Sequence, residues 1–183
     1  MNGWDHIEFQ CLPAELHNYP EKIPEAVRDK VWRNRGRFSR IFIGYADCGT
    51  GGLLDAVIEE EGLERLPGAH CYELFAGTRQ FEALHESEIG TFYLTDFLAE
   101  HFQRLIVSGL GIDRFPELRE QYFGHYKKLV YLVQKDNPRT ESKAREAAEF
   151  LGLEYERVYT GDVMLDDALK VVVAPRSLTD SDT

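Results

Sequence analysis

The sequence predicts an α/β protein with one open, mostly parallel sheet of about five strands and helices on both faces, a Rossmann-like arrangement. Three observations favour this class. Short apolar or alternating segments take turns with segments of helical period, and glycines or prolines separate them. The run at 41–45 is almost continuously apolar, as in a strand that is covered on both faces. Right-handed crossovers between such strands produce a parallel sheet.

The individual elements follow from the same patterns. Strands are predicted at residues 6–11, 40–45, 71–75, 129–133 and 154–159. Helices are predicted at 25–35, 53–61, 78–86, 97–108, after Pro116, at 140–151 and at 164–169, with Thr95 or Asp96 as a cap and Gly36, Gly62 and Gly152 as stops. We expect one domain over residues 1–174 and a polar, disordered tail over 175–183.

Charge and apolar patterning exclude several classes of protein. The chain has 183 residues with 21 Lys and Arg against 32 Asp and Glu, a formal net charge of −11. Such a surface repels phosphate backbones and anionic lipids, so we expect neither nucleic-acid nor membrane binding. No apolar run approaches the ~20 residues of a membrane-spanning helix. The first residues, MNGWDHIEF, lack the layout of a signal peptide, and we therefore expect a cytoplasmic protein.

The three cysteines lie at predicted strand ends. Cys11 ends the first strand, Cys48 follows the second, and a loop at 67–70 can carry Cys71 to the same carboxyl edge. Three thiolates that meet there suit zinc, our first choice, or an iron–sulfur cluster, our second. The spacing contains no CxxC pair. The alternative is that each cysteine is a small buried apolar residue.

The loop DCGTGG connects the second strand to a helix. The backbone N–H groups of Gly49, Thr50, Gly51 and Gly52 can approach and cradle a bound cofactor or anion, although the loop lacks the P-loop lysine and the GxGxxG spacing. Asp47 can orient a ligand, act as a base, or cap the helix.

Two histidines are candidates for proton transfer. His17 lies in a loop that Pro13 and Pro20 restrict, where it can be held over a pocket or simply bond to the backbone of a turn. His70 precedes Cys71 directly, so the two can share one ion only with a bend, which Gly68 can supply; His70 is otherwise predicted to act as a general acid or to orient a ligand.

Five segments carry a family resemblance. They are LPAELHNYPEKIPEAV, GYADCGTGG, LPGAHCYELFAG, GTFYLTDFLAEHF and YFGHYKKLVYL. In that order they resemble the bacterial and archaeal domain of unknown function 1638 family. The resemblance supplies no activity, but it implies a setting beside corrinoid-dependent methyltransferases of methylated amines and their corrinoid proteins. It also strengthens the metal hypothesis, because Cys48, His70 and Cys71 lie inside these motifs.

The leading hypothesis is therefore a metal-dependent enzyme or accessory factor of corrinoid-linked one-carbon metabolism. Cys11, Cys48 and Cys71 would hold the metal, His17, Asp47 or His70 would handle protons, and a small molecule would bind. Two alternatives remain open. One is a non-catalytic module that binds or delivers a metal or corrinoid, and the other is a metal-free enzyme with Cys48 as nucleophile.

Overall fold

The structure, a computed structural model, describes residues 7–66, 68 and 70–161. These residues form an α/β fold with two small open parallel sheets, one of two strands and one of three. The α/β class is confirmed, whereas the single Rossmann-like sheet of five strands is wrong. No helix among the described residues is long and apolar enough to cross a membrane.

The elements are short in the first half of the chain and longer in the second. The strands are β1 Phe42–Ile43, β2 Glu64–Arg65, β3 Thr91–Thr95, β4 Lys128–Val133 and β5 Glu154–Tyr159. The α-helices are α1 Ile23–Asn34, α2 Leu53–Glu61, α3 Tyr72–Ala76, α4 Thr78–Ser87, α5 Asp96–Glu100, α6 Leu118–Phe123 and α7 Pro138–Leu151. Short 3₁₀ helices span Ala14–Asn18 and Pro20–Lys22, and a π-helix spans Gln103–Ser108.

The two-stranded sheet is packed against α1 and α2. β1 and β2 run parallel, with Phe42 opposite Glu64 and Ile43 opposite Arg65. Ile43 of β1 packs against one cluster formed by buried side chains of the two helices: Ile23, Val27, Val31, Leu54 and Ile58. The helical spacing of these apolar residues explains why both helices were predictable.

The three-stranded sheet has helices on both faces. Its strand order is β3-β4-β5, all parallel. Along β4, Leu129, Tyr131 and Val133 pack with α5, the π-helix, α6 and α7, while Val130 and Leu132 pack with α3 and α4. This alternation is the strand period of two, and it buries both sides of β4.

Two predicted strands of the first half are wrong. Residues 7–13 form neither helix nor strand, although 6–11 was predicted as the first strand. Residues 72–75 belong to α3 rather than to a strand, with Cys71 as the N-cap, since Glu73, Leu74 and Ala76 favour a helix and Gly77, at φ 78°, ends it. The partner of β1 is instead β2, whose Glu64 and Arg65 are too polar to indicate a strand.

The second half agrees better with its sequence pattern. β5 and the α7 stop at Gly152, which adopts φ 74°, are confirmed. Thr95 caps α5, because its hydroxyl accepts the Leu98 N–H at 3.3 Å. β3 was missed as a strand. The helix predicted at 164–169 and the tail at 175–183 lie outside the described residues.

We expect Tyr131→Phe to lower the free energy of unfolding by about 1.5–3 kcal/mol, because the buried Tyr131 hydroxyl donates to the Asp96 carboxylate at 2.7 Å. Urea denaturation measures the change. Tyr122→Phe, at a tyrosine that is 43% exposed on α6, is the matched control and should change stability by less than about 0.5 kcal/mol. Equal effects of the two substitutions would mean that the hydrogen bond between Tyr131 and Asp96 does not stabilise the fold.

Candidate metal centre

Parallel pairing of β1 and β2 brings Cys48 and Cys71 together. Beyond the last strand pair, the Leu66 N–H donates to Ile43 O at 3.0 Å and the Asp47 N–H donates to Gly68 O at 3.3 Å. These two bonds hold the segments that leave β1 and β2 side by side. Cys48 and Cys71, each a few residues further on, therefore face each other at one carboxyl edge.

His17 completes a group of three potential ligands. One ring nitrogen of His17 and the Sγ atoms of Cys48 and Cys71 all lie within 4.8 Å of one another. The two cysteines are half-buried and the histidine is exposed. Two soft sulfur ligands and one imidazole are the donor types that zinc prefers.

Cys48 sits in a strained backbone conformation. It has φ 50°, and among the described residues it is the only non-glycine with positive φ. This region costs an L-residue roughly 1–2 kcal/mol, whereas glycine adopts it freely. A non-glycine residue that keeps such a conformation is typical of a position where the side chain has a function.

Asp47 shapes the loop around Cys48. Its carboxylate accepts hydrogen bonds from the Thr50 hydroxyl and from the Gly52 N–H at 3.1 Å, and these bonds hold the pKa of Asp47 below its usual range. The Thr50 hydroxyl also accepts the Leu54 N–H at 3.3 Å in the first turn of α2. Asp47 therefore closes the loop that leads into α2.

His17 is oriented by two neighbours. Its Nδ1 lies 3.3 Å from Ala14 O, in the same 3₁₀ helix, and its ring stacks on Tyr45 with centroids 6.2 Å apart. A proton on Nδ1 that is shared with Ala14 O leaves the lone pair on Nε2. Backbone contacts of this kind fix the tautomer of metal-binding histidines.

Asn18 ties the His17 segment to the π-helix. The Asn18 side-chain amide donates to Leu105 O at 2.8 Å, across 87 positions of sequence. Leu105 O is available because the N–H groups of both Gly109 and Leu110 donate to Ile106 O. A Cβ at Gly109 would lie 2.2 Å from Leu105 O and 2.7 Å from the Asn18 amide, so the contact requires glycine there.

A hydrogen bond joins the side chains of Cys48 and Cys71. The Cys71 thiol donates to Cys48, which lowers the pKa of Cys48 to about 7 and raises the pKa of Cys71. Burial opposes the change at Cys48 and adds to it at Cys71. Near neutral pH a large share of the molecules therefore carries one thiolate in this pair, on Cys48, before any cation binds.

Tyr45 is a member of the site that the sequence did not reveal. Burial raises the pKa of its phenol first, and the nearby thiols of Cys48, Cys11 and Cys71 raise it further. The sequence around Tyr45, two residues after the end of β1, is typical of a strand and indicates only a core residue. The stacking with His17 depends on the fold of a distant 3₁₀ helix, which no local signal predicts.

The other predicted residues are placed differently. Cys11 is exposed and is not in the ligand group, although its charge reaches Tyr45. His70 is exposed, with its ring 5.9 Å from that of Phe81, and is also outside the group. In the predicted cofactor loop, Thr50 and Gly52 donate to Asp47, and Gly49 lies near Pro20.

Fold and site together define an α/β protein with a His/Cys group that can hold a metal ion. The chain belongs to the family described as "Protein of unknown function (DUF1638)", whose family model matches residues 11–169. The family resemblance of the sequence is thereby confirmed. No curated protein and no solved structure matches the chain.

The strain at Cys48 can be measured without any metal. We expect metal-free Cys48→Gly to be more stable than metal-free Cys48→Ala by about 1 kcal/mol, because both remove the thiol and only glycine relaxes at φ 50°. Chemical denaturation of the two variants gives the difference. Greater stability of the alanine variant would rule out strain at this position.

Proposed function

We propose that this protein binds zinc through His17, Cys48 and Cys71 and leaves one coordination position open for a small-molecule ligand. The observation that carries the proposal is the convergence of three ligand atoms within 4.8 Å from three separate segments of the chain. Three protein ligands with a free fourth position are typical of catalytic zinc sites.

The dimensions of the group suit zinc. Two sulfurs that are each about 2.3 Å from a tetrahedral ion lie ~3.8 Å apart, so the group needs only a small contraction to close on a metal. The thiolate on Cys48 supplies the first anionic ligand, and loss of the Cys71 proton supplies the second. The Asn18 and Ala14 contacts orient the third ligand, His17.

The fourth ligand decides between two kinds of site. Cys11 was predicted as a metal ligand, and it lies in a segment without helix or strand, close enough for its charge to act on Tyr45. If Cys11 joined the ion, the site would be closed, as in a structural or delivery protein. Its exposure and its position outside the ligand group favour an open site.

An open zinc site suits methyl transfer to a thiol. Zinc would lower the pKa of a substrate thiol so that it reacts as the thiolate. In the corrinoid-linked role that the family resemblance implies, the thiolate sulfur would form the new carbon–sulfur bond while the carbon–cobalt bond breaks, and Co(III) would become Co(I). Three side chains could position such a substrate: Tyr45, which stacks on His17, His70, which precedes Cys71 in the chain, and the exposed ring of His17 itself.

Metal content tests the proposal directly. We expect anaerobically purified protein to be colourless and to contain about one zinc ion per chain. Cys48→Ser and Cys71→Ser should lose the ion, His17→Ala should bind it at least about tenfold more weakly, and Cys11→Ser should bind it within about twofold of wild type. Elemental analysis and competition with a chelator measure these changes.

Each other result has a definite meaning. Brown protein with broad visible absorbance would replace zinc by an iron–sulfur cluster. Loss of zinc in Cys11→Ser would mean a closed site and would favour the delivery module. Metal-free protein whose Cys48 is alkylated selectively would favour the nucleophile hypothesis, for which the Cys48 thiolate and the strained loop would supply the reactivity.

The bond between Asn18 and the π-helix should tune zinc affinity. We expect Asn18→Leu to weaken zinc binding by about 10–100-fold, because His17 loses the contact that fixes its segment. Gly109→Ala should have a similar effect, since its Cβ displaces the Asn18 amide. Glu15→Gln is the matched control: it removes only the ion pair between exposed Glu15 and Arg104 and should change affinity by less than about twofold.

A further inference from the structure

A cavity of about 460 Å³, separate from the candidate metal centre, lies at the carboxyl edge of the three-stranded sheet. Its walls come from α5, from the turn after β4 and from the first turn of α7. In open parallel sheets, ligands bind at this edge, beyond the carboxyl ends of the strands. The volume is in the range of small-molecule sites.

The first turn of α7 leaves a backbone donor at this cavity. Pro138 has no N–H, and the Arg139 N–H donates to the side chain of the capping residue Asn137 at 3.0 Å. The next donor along the helix is the Thr140 N–H, for which the described part of the chain offers no acceptor. Helix N-termini with free N–H groups attract anions, and α7 has 14 residues.

The Thr140 side chain is an independent sign of a ligand. It lines the cavity, it is only 6% exposed, and its hydroxyl has no hydrogen-bond partner within residues 7–66, 68 and 70–161. The fully enclosed side-chain hydroxyls that lack a partner there are those of Tyr93 and Tyr155. The Thr140 hydroxyl therefore still reaches open space, and that space is the cavity.

Acidic and basic side chains both line the cavity, and Arg139 is a basic one with no side-chain partner among the described residues. Both carboxylate oxygens of Asp96 are engaged, one by the Tyr131 hydroxyl at 2.7 Å and the other by the Lys135 N–H at 2.9 Å. Glu100 is paired with Lys143. The Arg139 guanidinium makes no hydrogen bond or ion pair to any described residue, and it acts on Glu100 only through its field. Its positive charge is therefore available in a protein of net charge −11.

An apolar wall faces these polar groups. Phe97 lines the cavity, is 51% exposed, and meets the His101 ring edge to face with centroids 4.7 Å apart. An exposed aromatic surface beside a cluster of oxyanion donors suits a ligand with a charged end and a ring or other apolar body.

We propose that this cavity binds a small organic oxyanion, either a phosphate ester or a carboxylate. The oxyanion accepts from the Thr140 N–H and hydroxyl beside Arg139, and its apolar body packs on Phe97 and His101. The site goes beyond the proposed zinc function and does not depend on it.

Amide NMR of the full-length protein tests the proposal. Phenyl phosphate, benzoate and sodium chloride are titrated separately at constant ionic strength, and the Thr140 amide is followed. We expect a saturable downfield shift with one or both oxyanions and none with chloride. Thr140→Val and Arg139→Gln should each weaken binding by at least about fivefold, whereas Arg145→Gln, which removes the same charge from α7 away from the cavity, should change it by less than about twofold.

The two probes also identify the source of the oxyanion. Binding of phenyl phosphate alone assigns a phosphate ester, binding of benzoate alone assigns a carboxylate, and binding of both assigns a general oxyanion site. Equal shifts with chloride, or equal losses in Arg139→Gln and Arg145→Gln, would overturn the proposal. Should Thr140→Val melt far below wild type, Arg139→Gln, at an exposed side chain, still decides the outcome.

Discussion

The candidate metal centre depends on one short stretch of parallel backbone pairing. β1 and β2 contribute only two residue pairs, yet the hydrogen bonds continue through Leu66 to Ile43 and through Asp47 to Gly68. Parallel direction is what matters, because it sends both chains out at the same edge. An antiparallel pair of equal length would have placed Cys48 and Cys71 at opposite ends. The cluster of α1 and α2 stabilises this short pairing by burying one side of it.

Positioning of the third ligand comes from the other half of the molecule. The 3₁₀ helix that bears His17 has no fully buried residue, and its half-buried Leu16 packs against the cluster of α1 and α2. It is also joined to the π-helix by the exposed ion pair between Glu15 and Arg104 and by the Asn18 amide on Leu105 O, a carbonyl that the π-helix leaves without the usual backbone donors. A π-turn is costly in a helix and is commonly found near functional sites. Here it has a definite physical consequence, because it supplies the acceptor that fixes the position of a metal-ligand candidate.

The sequence predicted the features that depend on neighbouring residues, and it missed those that depend on partners far away in the chain. α2, α7 and β5 follow from apolar period and from the glycines that end them, and those predictions are confirmed. β2 was not predictable, because Glu64 and Arg65 become a strand only through their partner. Cys48 and Cys71 were predicted at one edge of a sheet, and the structure does bring them together there. The predicted strand at Cys71 is wrong, however, because Cys71 is the N-cap of a helix and the strand before it is β2. His17 was recognised as a site residue but not as a potential metal ligand, since its grouping with the thiols depends on contacts far apart in sequence, such as that of Asn18 across 87 positions.

The N-termini of α2 and α7 differ in the charge of the side chain that accepts their backbone hydrogen bonds. Before α2, the Asp47 carboxylate accepts hydrogen bonds from the Thr50 hydroxyl and the Gly52 N–H, so a negative charge already lies beside the N-terminus of this helix. At α7, the Asn137 side chain takes one donor only, and Thr140 keeps its hydroxyl and N–H unsatisfied beside Arg139. A carboxylate near the N-terminus of a helix offsets its positive end, whereas a neutral asparagine cap does not. Under the two proposals, this difference between Asp47 and Asn137 separates a zinc site at the first sheet from an oxyanion site at the second.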